Sequence, residues 1–465
     1  MHQAMNEPIL TVAQMRAAER AAMAAGTTEW ELMQRAGEGA AQWVMRVAAG
    51  RPVTVLCGPG NNGGDGYVIA ETLLRNGNTV QVIAPVEPAT DTARKVRTQF
   101  GGTVSAEAAP RHPVVVDCLF GYGLTRQVEG VFAALLEQVG TRDCYRIAID
   151  VPSAVSSDSG EVLGPLPQYD MTLALGAWKQ AHGLMPAMAA MGTRRLVPIG
   201  LDLGPVSTGF SSRPHLAVPS PEAHKYRRGL LAIVAGAMPG APLLAAEAAM
   251  RAGAGYVKLL SEHSHPDAPA DLVIEQDRFG ESLCDERISA LLVGPGLGRD
   301  GDARRRLADA LKQRQPVVLD ADALHLLGPN MLGGADVTTV CLTPHEGELA
   351  KLCEAFGVSG DGKLARTRRL RDVTGMTVLA KGPDTILASD VMTHFFPRGS
   401  SWLSVAGTGD VLAGIVASRL AVHGDPQRAC VEGVWLHQEA ARIASPAFSA
   451  GDLARAVKPA MASFL

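Results

Sequence analysis

The chain has 465 residues, of which 47% are hydrophobic, 19% charged and 5% aromatic; that length calls for two or three globular units and that composition excludes a disordered chain. Its 43 Lys and Arg against 47 Asp and Glu leave a formal charge of -4, so neither nucleic acid nor an anionic membrane is an expected partner, and small molecules are. Fifty glycines, about one residue in nine, require sites where backbone comes close to a ligand, because glycine weakens the interiors of helices and strands.

In chain order, Thr11 to about Val47 reads as two amphipathic helices. From residue 53 short apolar runs alternate with helical patterns: 53–57, 79–85, 114–120, 146–150 and 171–175 are strand candidates, and such alternation means parallel βαβ units. A second series follows at 230–236, 256–260, 290–294, 316–320, 339–343 and 376–380. Between the two series lies a Pro- and Ser-rich stretch, 205–222, which reads as a linker and divides the chain into domains 1–210 and 222–465. The 18 residues from Gly229 to Ala246 carry no charge, but Pro239, Gly240 and Pro242 interrupt them, so a strand, a tight turn and a helix are expected rather than a membrane span. Seven cysteines without a CxxC pair, and an N-terminus without a basic and apolar leader pattern, predict reduced thiols and a cytoplasmic protein.

The first chemical motif is G-P-G-N-N-G-G-D-G, Gly58 to Gly66, between a strand and a helix. Gly58, Gly60 and Gly63 satisfy GxGxxG, the dinucleotide fingerprint. Asp65 argues against that use, because a carboxylate where a pyrophosphate meets a helix N-terminus repels it. The acidic residue expected about 20 positions on is also absent, since Glu87 lies 27 residues past Gly60. The side-chain carbonyls of Asn61 and Asn62 suit a hard cation or a ligand amide. Asp117 and Asp150 close two further strands, and ligands in parallel sheets bind beyond the carboxyl ends of strands, so both should converge on the glycine loop.

These residues resemble the epimerase domain of the bifunctional NAD(P)H-hydrate repair enzymes, whose marks are GNNGGDG, an Asp before an F-G-T-G-L-type loop, and D-[IV]-P-S-G. The resemblance implies substrate loops made of Asn61, Asn62, Gly63, Gly64 and Asp65 and of Gly121, Tyr122, Gly123, Leu124, Thr125, Arg126 and Gln127. It implies Asp150 as the catalytic acid/base and a potassium ion held by Asn62, Asp117 and Ser153. Ala154 stands where the family usually has Gly, and Tyr122 where it usually has Thr; an alanine matters there if φ must be positive.

The second motif, A-G-T-G-D at 406–410, opens a long helix. Glycines before a helix N-terminus make an anion hole for a phosphoryl group, and an acidic residue in the first turn is also a favourable dipole partner. With 224–259, 291–300, 317–324, 342–352 and 379–388, this half resembles the dehydratase domain of the same repair family, within the ribokinase-like superfamily. The resemblance implies Ala241, Gly296, Gly298 and His345 around the hydrate with Asp410 as catalytic base, and Lys381, Gly382, Pro383, Asp384, Thr385, Gly407 and Gly409 around the nucleotide. A local alternative for 343–346 is a capping box from Thr343 to Glu346 with Pro344 at the first helical position, which leaves His345 unexplained. Ser400-Ser401-Trp402 replaces an N-P-G-like segment common in the family.

The expected fold is therefore α/β with two domains, an N-terminal Rossmann-like three-layer sandwich and a C-terminal ribokinase-like α/β domain. The expected function is repair of the hydrates NADHX and NADPHX, with ADP as phosphoryl donor together with Mg2+, ATP as an alternative donor, and a homo-oligomeric assembly. A vitamin or sugar kinase with an accessory nucleotide-binding domain, a Rossmann oxidoreductase and a non-enzymatic sensing module are the competing readings.

Overall fold

A computed structural model describes residues 7–263, 266–276 and 279–465. The chain divides into two compact units, Glu7–Gly209 and Phe210–Leu465.

The N-terminal unit runs β1 (Glu7–Leu10), α1 (Val12–Ala24), α2 (Glu29–Ala48), β2 (Val53–Cys57), α3 (Asn61–Arg75), β3 (Val80–Ile83), α4 (Asp91–Gln99), β4 (Val104–Ser105), β5 (Val114–Cys118), α5 (Gly130–Thr141), β6 (Tyr145–Ile149), β7 (Met171–Leu175), β8 (Trp178–Lys179) and β9 (Thr193–Val197). Thr11 and Thr28 start α1 and α2 with capping boxes closed by Gln14 and Glu31. Seven strands form one parallel sheet in the order β4-β3-β2-β5-β6-β7-β9. All five residues of β2 and of β5 are buried, as expected for a sheet covered on both faces. Val53, Val55 and Cys57 face the core shared with α2 and α3; Leu56 and Val115 face Leu135, Leu136 and Val139 of α5. The result is a three-layer sandwich.

Strand order reverses between β2 and β5, and the loops leaving those strands separate at that point, where a crevice forms. Two glycines permit the crossing: a Cβ on Gly58 would stand 1.7 Å from the Leu119 carbonyl oxygen, and one on Gly63 would stand 1.9 Å from that of Gly58. Gly63→Ala is expected to cost about 2 kcal/mol through forced backbone movement. In a thermal melt the transition of this unit should fall by roughly 4–8 °C.

In the C-terminal unit the elements are β11 (Leu230–Val234), α6 (Gly240–Ala249), β12 (Tyr256–Leu260), β13 (Val273–Glu275), α7 (Phe279–Leu283), β14 (Ile288–Val293), α8 (Gly301–Leu311), β15 (Val317–Leu319), α9 (Asp322–Leu326), β16 (Val340–Leu342), α10 (Glu346–Ala355), α11 (Gly362–Thr374), β17 (Thr377–Ala380), β18 (Ile386–Ala388), β19 (Thr393–Phe395), α12 (Thr408–His423), α13 (Pro426–Ala444) and α14 (Ala450–Ala462), with β10 (Thr208–Phe210) at the division between units. Strands follow the order β13-β12-β11-β14-β15-β16-β17-β18-β19. Pairing is parallel as far as β17 and antiparallel from β17 to β19. Helices α8 to α10 cover one face, while α6, α12 and α13 cover the other.

The uncharged run from Gly229 forms β11, a turn and α6, and no described helix is long and apolar enough to cross a membrane. No cysteine is in a disulfide; Cys57, Cys118, Cys341, Cys353 and Cys430 are buried, Cys144 is half-buried and Cys284 is exposed.

Candidate functional site

At the β2/β5 switch the N-terminal unit encloses a cavity of about 520 Å3. Its walls include Asn61, Asn62 and Asp65 of α3, the loop from Leu119 to Arg126, Asp150, and Glu19 of α1. Asp150 follows β6 in the left-handed region, φ +69°, a conformation that costs energy for a residue with a side chain and recurs at functional sites. Its Oδ2 accepts the Tyr122 N–H at 2.9 Å, and its Oδ1 is ion-paired with the Lys179 ammonium. Lys179 is fully buried and also donates to the Leu175 carbonyl at 2.6 Å. His182 Nε2 lies 2.7 Å from the Asp150 carbonyl oxygen. Burial, with the Lys179 charge behind it, lowers that imidazole to about 4, so it is neutral at pH 7. Tyr122 donates its hydroxyl to Glu19 Oε2 at 2.6 Å.

Asp65 stands in the second turn of α3 rather than at the exposed helix end, and it is buried. Burial first, then the charges of Asp150 and Glu19, push its carboxyl well up. Below the cavity, Asp117 is saturated. Its Oδ1 accepts Ser153 Oγ at 2.6 Å and the Leu119 N–H at 3.1 Å; its Oδ2 accepts the Tyr169 hydroxyl at 2.5 Å and the Ser153 N–H at 3.2 Å. Asn62 Oδ1 is buried without a hydrogen-bond partner. Gly63, Gly64 and Gln127 do not line the cavity.

The C-terminal constellation gathers strand ends around the start of α12. Gly407 is its N-cap, with φ +89°, and Asp410 sits in the first turn. Asp320, after β15, accepts Lys381 Nζ at 2.6 Å and Thr343 Oγ1 at 2.7 Å. A Cβ on Gly409 would stand 3.6 Å from Lys381 Nζ, so this lysine reaches the glycine loop. Burial, reinforced by Asp320, pushes Asp410 up to about 7. For Lys381, burial works downward, but Asp320 and Glu348 prevail and raise it. The 381–385 loop is tied down by Lys363, whose Nζ donates to the carbonyls of Lys381 (3.0 Å) and Asp384 (2.8 Å) and to Asp384 Oδ1 (2.7 Å); Thr385 Oγ1 donates to the Gly382 carbonyl at 2.8 Å, and Pro383 is exposed at the tip. Gly296 and Gly298 sit at the switch between β11 and β14, against the turn that leads into α6, the helix carrying Ala241: a Cβ on Gly296 would stand 2.3 Å from the Met238 carbonyl, and one on Gly298 would stand 3.3 Å from Ala237 Cβ.

The cap of α10 differs from the one read in the sequence. His345 is the N-cap: its Nδ1 accepts the N–H groups of Gly347 (3.0 Å) and Glu348 (3.3 Å), and Glu348 returns the bond to the His345 N–H at 2.8 Å. Thr343 is turned to Asp320, and Glu346 pairs with Arg366.

The family model for the YjeF-related protein N-terminus matches residues 29–181, and the model for NAD(P)H-hydrate dehydratase matches 231–461. The bifunctional NAD(P)H-hydrate repair enzyme Nnr of Thermosynechococcus vestitus is 32% identical, over 93% of this chain and 92% of that one. The Nnr of Gloeobacter violaceus is 34% identical over the same shares, 93% and 92%. The chain belongs to the bifunctional NAD(P)H-hydrate repair enzyme family. Among solved structures, an ADP/ATP-dependent NAD(P)H-hydrate dehydratase from Bacillus subtilis, co-crystallised with ATP and Mg2+, is 26% identical over 54% of this chain and 95% of that one, with a TM-score of 0.45.

Two departures from the family's usual residues have local explanations. Ala154 is not among the described residues with positive φ, so its methyl group causes no backbone strain; the left-handed residue of this segment is Asp150. Ser400-Ser401-Trp402 builds a short 3-10 turn at Ser401–Leu403, which Thr408 holds through its hydroxyl, 2.9 Å from both the Leu403 and Val405 carbonyls.

Sequence reasoning passed over Lys179, Glu19 and Lys363, and it quoted Asp320 only within a strand run. The available signal for Lys179 was a single cation inside the otherwise uncharged stretch from Met171 to Gly183. Nothing in the sequence marked Glu19 among the other charges of α1.

Proposed function

We propose that the two units divide the repair of NADHX and NADPHX, with epimerisation at C6 in the N-terminal unit and nucleotide-dependent dehydration of the S epimer in the C-terminal one. The observation that carries the second half is Asp410, a carboxyl poised near neutrality at a helix N-terminus beside Lys381. A base with that pKa accepts the C6 hydroxyl proton at pH 7. Oxygen of C6 then bonds to the terminal phosphorus of ADP, and the P–O bond to AMP breaks. Phosphate leaves C6 with the electron pair of the C–O bond, a proton leaves C5, and the C5–C6 double bond is restored. In this reading the start of α12 and the Lys381 ammonium stabilise the transferring phosphoryl group.

Mg2+ would enter on the nucleotide, since no group of three acidic, His or Cys side chains able to hold a metal occurs among the described residues. That fits an ion that uses few protein carboxylates and several phosphate oxygens, and it would supply charge neutralisation. Potassium fits the N-terminal unit in donor type: the unpartnered Asn62 Oδ1 calls for a positive partner, and Asp117 and Ser153 offer further oxygens once one of their mutual bonds turns away. Bound there, it would supply positive charge beneath the substrate loop.

The test supplies purified R and S hydrates separately, with ADP or with ATP, and follows the reduced-nicotinamide absorbance. Recovery from S by the nucleotide reaction, and from R at a rate set by epimerisation, is the expected result. Recovery from neither epimer overturns the proposal. A stable phosphorylated product would replace it with a kinase.

A further inference from the structure

The N-terminal cavity buries two carboxyl groups beside a single ammonium. Asp65 and Asp150 line it with the buried Lys179 ammonium, Glu19 lines it half-buried, and Glu29, Arg16 and Arg126 line it from exposed positions. Their partners differ. Asp150 has the Lys179 ammonium and the Tyr122 amide, and Glu19 has the Tyr122 hydroxyl. Asp65 is only 9% exposed, and none of the described residues donates a hydrogen bond to its carboxyl group.

Burying two carboxylates beside one ammonium is costly, and the cost is relieved when the less supported group takes a proton. Asp65 is that group, and its carboxyl is accordingly displaced upward by burial and by the Asp150 and Glu19 charges. Two carboxyl groups in one cavity, one salt-bridged and one unsupported, divide acid from base.

We propose that Asp65 is the general acid of hydrate epimerisation and that Asp150, paired with Lys179, is the opposing base. This rests on the reading of the N-terminal unit as the epimerase and adds to it a second reacting carboxyl. Asp65 gives its proton to the C6 hydroxyl, and the C6–O bond breaks to release water. The N1 lone pair forms the N1=C6 bond of the cation. Water then adds to C6, Asp150 takes the proton it sheds, and the N1=C6 π pair returns to N1. The proton now rests on Asp150 and Asp65 is ionised, the complementary form that processes the other epimer. Exchange with solvent restores the starting form.

The experiment uses the full chain carrying Asp65→Asn, a change that keeps shape and removes the ionisable proton. Four quantities are measured: R/S exchange, incorporation of 18O from labelled water at C6, hydrate affinity of the N-terminal unit, and ADP-dependent dehydration of the S epimer as a control for intact protein. Exchange and 18O incorporation are expected to fall together by about 100-fold or more, with affinity and dehydration within roughly threefold of wild type. Asp65→Glu should recover part of the loss by restoring a carboxyl group. Exchange by Asp65→Asn within threefold of wild type overturns the assignment, and so does a loss of affinity that accounts for the whole effect. A wild-type chain that exchanges epimers no faster than buffer overturns the epimerase reading itself.

Discussion

Asp410→Asn is expected to leave ADP-dependent dehydration at roughly a thousandth of the wild-type rate or below, with nucleotide binding retained. The amide fills the same space at the start of α12 but cannot accept the hydroxyl proton, so the oxygen must attack phosphorus without general-base assistance, which slows phosphoryl transfer. Rate against pH gives a second signature. Burial and the Asp320 charge hold the Asp410 carboxyl at about 7, so the wild-type rate should rise as pH increases through 7 and level off above it. The opposite trend belongs to stability. The folded carboxyl keeps its proton up to about 7, whereas an unfolded one loses it near ~4. The resulting stability is complete below that lower value and is lost as pH rises through the folded one. The Asn variant should therefore show a flatter dependence of melting temperature on pH across this window. Single-turnover kinetics and melts at several pH values would check both.

Lys179→Met should abolish epimerisation and also destabilise the N-terminal unit. The side chains of Lys179 and Asp150 are 0% and 4% exposed. Removing one member of such a pair strands the other charge away from water, at a cost of about 3–5 kcal/mol. The thermal transition assigned to residues 7–209 should drop by more than 5 °C, at roughly 2–4 °C per kcal/mol. Adding Asp150→Asn to Lys179→Met should recover part of the melting temperature and none of the activity, because the stranded charge is gone while the acid/base group is not restored. A double variant as unstable as the single one would show that packing, rather than charge, is what Lys179 contributes. Throughout, dehydration of the S epimer by the other unit serves as an internal reference.

The strands that the sequence made legible are apolar ones inside the parallel sheets, the three-residue β15 and β16 among them. β2, β5, β7, β11 and β12 are five-residue runs buried on at least one face and almost wholly apolar, and burial on both faces of a parallel sheet imposes that pattern. Edge and hairpin strands escaped. β4 and β8 have only two residues, β18 and β19 form an antiparallel hairpin of three each, and the edge strand β9 is a half-exposed Thr-Arg-Arg-Leu-Val run, so none shows the continuous apolar run of a strand buried on both faces. The glycine loops were visible because backbone contact excludes a side chain, as at Gly58 and Gly63. The alternative capping box from Thr343 to Glu346 does not form, because local spacing cannot tell which of Thr343 and His345 turns away to a strand neighbour such as Asp320.

Taken alone, the sequence determined the kind of protein: two α/β units, a glycine loop at the head of α3 and another at the head of α12, and Asp150 and Asp410 as candidate acid and base. The units and the glycine loops follow from local pattern, since hydrophobic period, glycine spacing and strand-end position are properties of neighbouring residues; the acid and base roles of Asp150 and Asp410 are what the family resemblance implies. Only tertiary structure decided how the carboxyl groups are tuned. Lys179 meets Asp150 across 29 residues, Lys381 meets Asp320 across 61, and Glu19 meets Tyr122 across 103. A pKa depends on burial and on which charge stands within a few ångströms, and the chain brings those groups together only by folding.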